Sequence, residues 1–282
     1  MGDRRDPLRL TLQVALYIFL YAAMAFAAGP LLYWAGEYLI AITVTGLAAA
    51  CFTNWLSLRI YEDKPLWAIG LGRAPGWLQN LGWGLAGGMS SAALVLALPL
   101  LAGAAHLRPV PDSGAGAGQF VFVSTMLLCG AAGEEILFRG YGFQLLIRAL
   151  GAAATIFPVG VLFALLHAGN PNATPLGLAN TAGFGILFGY AFLRSRDLWL
   201  PIGLHFGWNL TLPLFGVNVS GLRIGMTGYA MEWTAGKLWS GGDYGPEASI
   251  LTSGVLALLF VFLMKAPVRR RHAPLLDPPA ED

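Results

Sequence analysis

Residues Phe120–Leu150 read FVFVSTMLLCGAAGEEILFRGYGFQLLIRAL, an apolar stretch long enough to cross a membrane as one helix. Inside it stand two adjacent acids and one base, Glu134, Glu135 and Arg139. A charged group at bilayer depth costs roughly 3 kcal/mol or more, and such groups persist mainly where they serve a function. The stretch therefore predicts a membrane-embedded helix that carries part of a reactive site.

The composition of the whole chain agrees with a membrane protein. Hydrophobic residues make up 56% of the 282 positions and charged residues only 11%. A soluble domain usually has about 25% charged residues, so the chain is predicted to be a polytopic membrane protein whose partner is the lipid bilayer. The formal net charge of +2 gives no indication of nucleic-acid binding.

Apolar runs of spanning length predict an all-α bundle of about eight transmembrane helices with the active site inside it. The runs lie at residues 10–34, 38–58, 80–102, 119–148, 152–168, 176–193, 198–216 and 248–265. We expect one transmembrane domain over residues 1–268, with its motif core at 119–216. Residues 269–282 are predicted to form a disordered cytoplasmic tail.

The distribution of Lys and Arg predicts the orientation, because cytoplasmic loops are enriched in these residues. Eight spans place both termini on one side, and Arg139 is set aside as intramembrane. One side then carries Arg4, Arg5, Arg9, Arg59, Lys64, Arg73, Arg148, Arg194, Arg196, Lys265, Arg269, Arg270 and Arg271, and the other carries Arg108, Arg223 and Lys237. This bias predicts an integral membrane protein with both termini in the cytoplasm. We expect it to lie in a bacterial plasma membrane.

The first span has an alternative interpretation. Basic residues followed by an apolar run and Ala25-Phe26-Ala27 resemble a cleaved signal peptide. The apolar run continues through Trp34, which is too long for a signal sequence and favours a retained span.

The acidic pair has two different expected roles. Residues four apart share a helix face, so Glu135 and Arg139 are predicted to pair. Glu134 points about 100° away and has no helical partner. An unpaired carboxylate in a low-dielectric site holds a proton more tightly and can act as a general base. The alternative is a buried Glu135–Arg139 clamp with Glu134 merely hydrogen-bonded.

Two histidine-containing spans supply further candidates. His167 ends the apolar run that contains Phe163, and a histidine at a helix end is alternatively just a satisfied polar residue. His205 and Asn209 are spaced i and i+4 in the middle of a span, so they share one face. Both can donate hydrogen bonds to an oxyanion. Their alternative role is a polar clamp between helices.

These residues form three ordered motifs in successive hydrophobic spans. The motifs are EExxxR, FxxxH and HxxxN, formed by Glu134, Glu135 and Arg139, by Phe163 and His167, and by His205 and Asn209. In this order they resemble the CPBP family, which comprises the CAAX prenyl endoproteases and the bacterial Abi-type proteins linked to bacteriocin processing and self-immunity.

The resemblance implies an intramembrane endopeptidase that acts on a membrane-associated protein or peptide, prenylated substrates being the family's best-known case. It implies that Glu134 and His167 activate a water molecule that attacks the scissile carbonyl. His205 and Asn209 would then stabilise the oxyanion, while Arg139 would hold Glu135 and order the helix.

A catalytic metal is an open alternative. Glu134, His167 and His205 form the His₂Glu set that zinc hydrolases use, and zinc would polarise the same water. These residues are 33 and 38 positions apart, so no local signature such as HExxH supports a metal site.

Two other functions compete with the peptidase. A non-catalytic membrane scaffold or bacteriocin-immunity protein on the same fold would bind a peptide or partner, but it would not need all four of Glu134, His167, His205 and Asn209. A proton- or ion-coupled transporter would also explain intramembrane acids and imidazoles. The absence of an evident internal repeat disfavours the transporter.

The predicted topology raises one conflict of depth. His167 falls near the outer end of the fifth span, whereas Glu134 lies about 22 Å along the fourth span from Gln119. They meet only if the fourth helix starts later, near Ser124, or if the fifth helix ends inside the bilayer. We favour the second, with residues 169–172 lining a wet cavity.

Overall fold

The computed structural model describes residues 6–35, 38–111 and 114–277, so Arg4, Arg5 and the last five residues of the predicted tail lie outside the described residues. The helices are α1 (Pro7–Ala35), α2 (Tyr38–Tyr61), α3 (Trp77–Leu101), α4 (Ala117–Arg139), α5 (Tyr141–Leu150), α6 (Ala152–Leu166), α7 (Pro175–Ser195), α8 (Trp199–Leu214), α9 (Lys237–Ser240) and α10 (Ile250–Lys265). Short 3₁₀ helices lie at Leu66–Ile69, Gly242–Tyr244 and Pro246–Ala248.

Five helical segments are long and apolar enough to cross a membrane, which confirms a multi-pass helical protein. They are Pro7–Trp34, Tyr38–Tyr61, Trp77–Leu101, Ala117–Leu150 and Pro175–Ser195. The other three predicted spans contain α6, α8 and α10, which have 15, 16 and 16 residues. Helices of that length measure about 22–24 Å, less than the roughly 30 Å hydrocarbon core. Helix length therefore does not establish the predicted count of eight.

The segment predicted as one straight span at 119–148 is interrupted. Helix α4 ends at Arg139 and α5 begins at Tyr141. Asn54 of α2 fills the break: its Oδ1 accepts a hydrogen bond from the Tyr141 backbone N–H at 2.6 Å, and its Nδ2 donates to the Ile136 carbonyl at 3.0 Å. Backbone N–H and C=O groups left unpaired at a helix break inside a membrane need partners within the protein. The Asn54 amide supplies both an acceptor and a donor.

Glycines bring α3 and α8 into backbone contact, as their four-residue spacing predicts. A Cβ built on Gly203 would lie 2.6 Å from the Leu81 carbonyl oxygen, and one on Gly88 would overlap the Leu204 carbonyl oxygen. Only glycine allows this approach. It fixes the position of α8, the helix that carries His205.

The protein is mostly helical, as expected, and one short pair of strands adds to the helices. Strand β1 (Ala105–Pro109) pairs antiparallel with β2 (Tyr229–Trp233), with Ala105 opposite Trp233. A salt bridge between Arg108 and Glu232 crosses the pair at 2.6 Å. The strands join the connection after α3 to the long segment after α8, and both lie outside the helices.

Residues 269–277 of the predicted disordered tail are ordered against the bundle. The Arg269 backbone N–H donates to Asn80 Oδ1 at 2.9 Å, and the Arg271 side chain donates to the Gly72 carbonyl at 2.8 Å. Leu275 is buried. A Pro-rich composition suggested disorder, but these contacts with α3 and its preceding turn satisfy the backbone of the tail.

Candidate active site

The C-terminal end of α4 carries a buried ion pair. Arg139 Nη1 lies 3.2 Å from Glu135 Oε1, and both side chains are fully buried. Arg139 Nη2 also donates to the Gly185 carbonyl of α7 at 2.7 Å. The pairing predicted from the four-residue spacing is therefore present, and it ties α4 to α7. The rings of Phe138, Phe163 and Phe188 lie 5.2–5.6 Å from the guanidinium carbon.

His205 on α8 also contacts Glu135. Its Nδ1 lies 2.9 Å from Glu135 Oε1, the oxygen that also accepts from Arg139. The imidazole stacks on Phe188 with ring centres 4.9 Å apart. Because a carboxylate only accepts, the Nδ1 of His205 carries the hydrogen, and Nε2 points away from Glu135.

His167 is fixed by its own helix. It follows the last residue of α6, and its Nδ1 lies 2.8 Å from the Phe163 carbonyl oxygen. A carbonyl only accepts, so this contact places the hydrogen on Nδ1 and leaves a lone pair on Nε2 in the neutral ring. The Phe163 ring packs against the imidazole with centres 4.7 Å apart. Phe163 therefore orients His167 through both its carbonyl and its ring.

Glu134 stands between the two imidazoles. Its Oε2 lies 3.9 Å from Nε2 of His167 and 3.9 Å from Nε2 of His205. This oxygen is buried and has no hydrogen-bond partner among the described residues. The structure thus brings together an unpartnered carboxylate oxygen and two imidazole nitrogens, from α4, α6 and α8.

The short α6 resolves the conflict of depth. Helix α4 begins at Ala117, so the later start near Ser124 is wrong. Helix α6 instead ends at Leu166 after 15 residues, about 22 Å. His167 therefore lies at the level of Glu134, and Asn170, in the turn that follows, lines the same cavity.

The three groups line a cavity of about 290 Å³. Asn209 lines it one helical turn beyond His205, as their spacing predicts. Further walls come from the start of α2, from α7 and from the segment after α8, represented by Tyr38, Thr181 and Ser220. We call this cavity the chamber.

The sequence analysis missed Glu247, which lines the chamber from the 3₁₀ helix before α10. Its carboxylate accepts hydrogen bonds from Trp208 Nε1 at 3.2 Å and from both the backbone N–H and the hydroxyl of Ser220. Burial raises the pKa of Glu247, and the Ser220 hydrogen bonds act in the opposite direction. The sequence feature that could have indicated this residue is its position as a lone acid just before the apolar helix α10.

The candidate zinc ligands do not have metal-binding geometry. Two ligands bound tetrahedrally at about 2.1 Å would lie about 3.4 Å apart, whereas Glu134 Oε2 is 3.9 Å from each histidine Nε2. Within residues 6–35, 38–111 and 114–277, no group of three or more His, Cys, Asp or Glu residues is suited to hold a metal ion. The donor set has the right chemistry, but its arrangement does not fit.

Comparison with known families supports the motif interpretation. Residues 116–211 match the family model described as Rce1-like, type II CAAX prenyl endopeptidase. No curated protein matches the chain. The matched residues run from the start of α4 into α8 and contain all three motifs. The apolar helices indicate a multi-pass membrane protein, and the match supports a CPBP/CAAX prenyl protease relationship for residues 116–211.

Proposed function

We propose that this protein is an intramembrane endopeptidase that hydrolyses a peptide bond in a membrane-associated polypeptide. The observation that carries the proposal is the convergence of Glu134 Oε2, His167 Nε2 and His205 Nε2 in one chamber. Separations of 3.9 Å leave space for a water molecule that hydrogen-bonds to two of these atoms at once.

Glu134 is the proposed general base. Its unpartnered Oε2 takes a proton from the water as the water oxygen bonds to the scissile carbonyl carbon. Nε2 of His167 accepts a hydrogen bond from the second hydrogen of the water. This bond orients a lone pair of the water oxygen toward the carbonyl carbon. When the tetrahedral intermediate collapses, the C–N bond breaks and the proton held by Glu134 passes to the leaving amine.

His205 and Asn209 are the proposed oxyanion stabilisers. Glu135 accepts from the Nδ1 of His205, so donation from Nε2 requires the doubly protonated form of the ring. The N–H at Nε2 and the Asn209 amide can donate to the negative oxygen. Arg139 serves by holding Glu135 in place and does not contact the reacting atoms.

The proposed mechanism uses no metal, because the distances between the candidate ligands do not fit one. If zinc were held, Glu134, His167 and His205 would be its ligands, and it would supply polarisation of the attacking water. The proposed mechanism needs only the proton-transfer groups already in the chamber.

The test is cleavage of a panel of membrane-inserted and prenylated peptides by the purified protein in detergent. Glu134→Gln should abolish cleavage while preserving the folded protein, because the amide cannot take a proton. Glu62→Gln is the matched control, since Glu62 pairs with Arg148 far from the chamber. Equal activity of Glu134→Gln and wild type would exclude this site. Tight binding of a peptide without cleavage by wild type would favour the scaffold or immunity alternative.

A further inference from the structure

The two ends of the helix bundle differ in positive charge. One end, which we call the arginine-rich end, comprises the start of α1, the α2–α3, α5–α6 and α7–α8 connections, and the segment after α10. Contacts of Arg148 with Glu62, Arg271 with Asp197, and Arg194 with the Ala266 carbonyl join these parts. In the described chain this end carries Arg9, Arg59, Lys64, Arg73, Arg148, Arg194, Arg196, Lys265, Arg269, Arg270 and Arg271.

The opposite end is poor in positive charge. It comprises the β1–β2 pair, the turn after α6 and the segment between α8 and α10, joined by hydrogen bonds such as Asn170 to the Ser220 carbonyl. Among the described residues its only Lys and Arg are Arg108, Arg223 and Lys237. We call this the arginine-poor end.

The chamber extends toward the arginine-poor end. Beyond Glu134 and His205 its walls are Tyr38 at the start of α2, Asn170 after α6, and Ser220, Leu222 and Ile224 after α8. Each of these belongs to that end of the bundle.

A layer of buried side chains lies between the chamber and the arginine-rich end. It consists of the buried Glu135–Arg139 pair, the Arg139 bond to the Gly185 carbonyl, and the rings of Phe163 and Phe188 around the guanidinium. On the arginine-rich side of this layer, the Asn54 side chain accepts a hydrogen bond from the Tyr141 backbone N–H and fills the break between α4 and α5. These side chains are all buried, so a polypeptide entering from the arginine-rich end would have to displace them.

Because loops enriched in Lys and Arg stay in the cytoplasm, we propose that the chamber receives its substrate from the extracytoplasmic face of the membrane. The substrate class is a membrane-anchored polypeptide whose cleaved segment lies at that outer face. This inference rests on the proposed peptidase function for the substrate, but its orientation can be tested without activity.

The charges of the chamber argue against recognition of a free C-terminus. The charged side chains among its described lining residues are Glu134, Glu247, His167 and His205, with neither Lys nor Arg. A CAAX substrate ends in a carboxylate three residues after the prenylated cysteine. No Lys or Arg among the lining residues can form an ion pair with such a carboxylate, so the lining favours an internal or uncharged segment.

Cysteine labelling tests the orientation. In a Cys51→Ala, Cys129→Ala background, Arg223→Cys and Arg270→Cys each place one thiol at an exposed position, at opposite ends of the bundle. A membrane-impermeant maleimide applied to intact cells should label Arg223→Cys, and it should label Arg270→Cys only after permeabilisation. The reverse pattern would overturn the proposal whether or not the protein is a peptidase.

Oriented vesicles test the substrate side. An impermeant peptide that the detergent-purified protein cleaves should be cleaved by right-side-out vesicles and spared by inverted ones until detergent is added. Cleavage confined to inverted vesicles would contradict outer access. Cleavage of the free-acid peptide in strong preference to its C-terminal amide would contradict the charge argument. Absence of cleavage in detergent would count against the peptidase function, while the labelling result would still decide the orientation.

Discussion

Nδ1 of His205 lies 2.9 Å from Oε1 of Glu135. The same oxygen lies 3.2 Å from Arg139, so one fully buried carboxylate serves both a structural ion pair and a chamber imidazole. The stability of α4 and the orientation of His205 are therefore linked through a single atom.

Arg139→Ala should destabilise the protein strongly, because it leaves Glu135 buried without its counter-ion. Breaking a buried pair from one side typically costs about 3–5 kcal/mol. Thermal unfolding of the purified protein in detergent measures the effect. Arg148→Ala is the matched control, since the Arg148–Glu62 pair is partly exposed and such pairs contribute about 0–1 kcal/mol. Equal losses in the two variants would contradict the role assigned to Arg139.

Asn209→Ala should lower kcat about 10²–10³-fold with little change in KM, which is the usual effect of removing one oxyanion donor. Asn209 lines the chamber and is half-buried, so truncation should leave the fold intact. Steady-state kinetics on a cleaved peptide separate the two constants. A rise in KM at unchanged kcat would instead make Asn209 a binding residue.

Gly88→Ala should destabilise the protein and reduce activity together, because its Cβ would overlap the Leu204 carbonyl, next to His205 on α8. Overpacking of this kind typically costs about 1–3 kcal/mol. Gly82→Ala on the same helix is the control, since nothing lies within 4 Å of its added Cβ. Unfolding midpoints and cleavage rates of both variants provide the measurement, and a harmless Gly88→Ala would refute the close α3–α8 approach.

Glu247 should make the protein less stable as pH rises from mildly acidic values. Burial raises its pKa in the folded state above the ordinary value of 4.5, so between these two values the folded chain binds more protons than the unfolded chain. Stability then decreases with rising pH through that window. Glu247→Gln should flatten this part of the profile. An unchanged slope in unfolding midpoint against pH would show that Glu247 does not titrate there.

Chelators should leave cleavage unchanged, since Glu134 Oε2 lies too far from both Nε2 atoms for tetrahedral zinc. Elemental analysis of the purified protein should find less than one bound transition metal per chain. Loss of cleavage with a chelator and its return with zinc would replace the proposed mechanism with a metal-dependent one.

Local spacing predicted the helical parts of the site well. The Glu135–Arg139 pair, the different direction of Glu134 and the shared face of His205 and Asn209 all follow from 3.6 residues per turn. These relationships lie within one helix, where sequence distance fixes spatial distance.

Long-range contacts could not be predicted in the same way. Glu247 reaches the chamber only because Ser220 and Trp208 bind its carboxylate, and no periodic pattern connects those positions. The break at Gly140 depends on Asn54 from another helix. The order of residues 269–277 depends on Asn80, 189 positions away from Arg269. Each feature depends on a tertiary hydrogen bond, which the hydropathy pattern of one sequence does not reveal.

The length of α6, 15 residues, also affects how water, which peptide hydrolysis consumes, reaches the chamber. Peptide hydrolysis consumes one water molecule per turnover, and the hydrocarbon core of a bilayer contains almost none. Because α6 stops at Leu166, the turn that includes Asn170 brings polar groups that can bind water to the chamber. A variant with α6 lengthened by two turns would keep the FxxxH motif and lose this route. Helix length, as much as the motif, would then limit the rate of turnover.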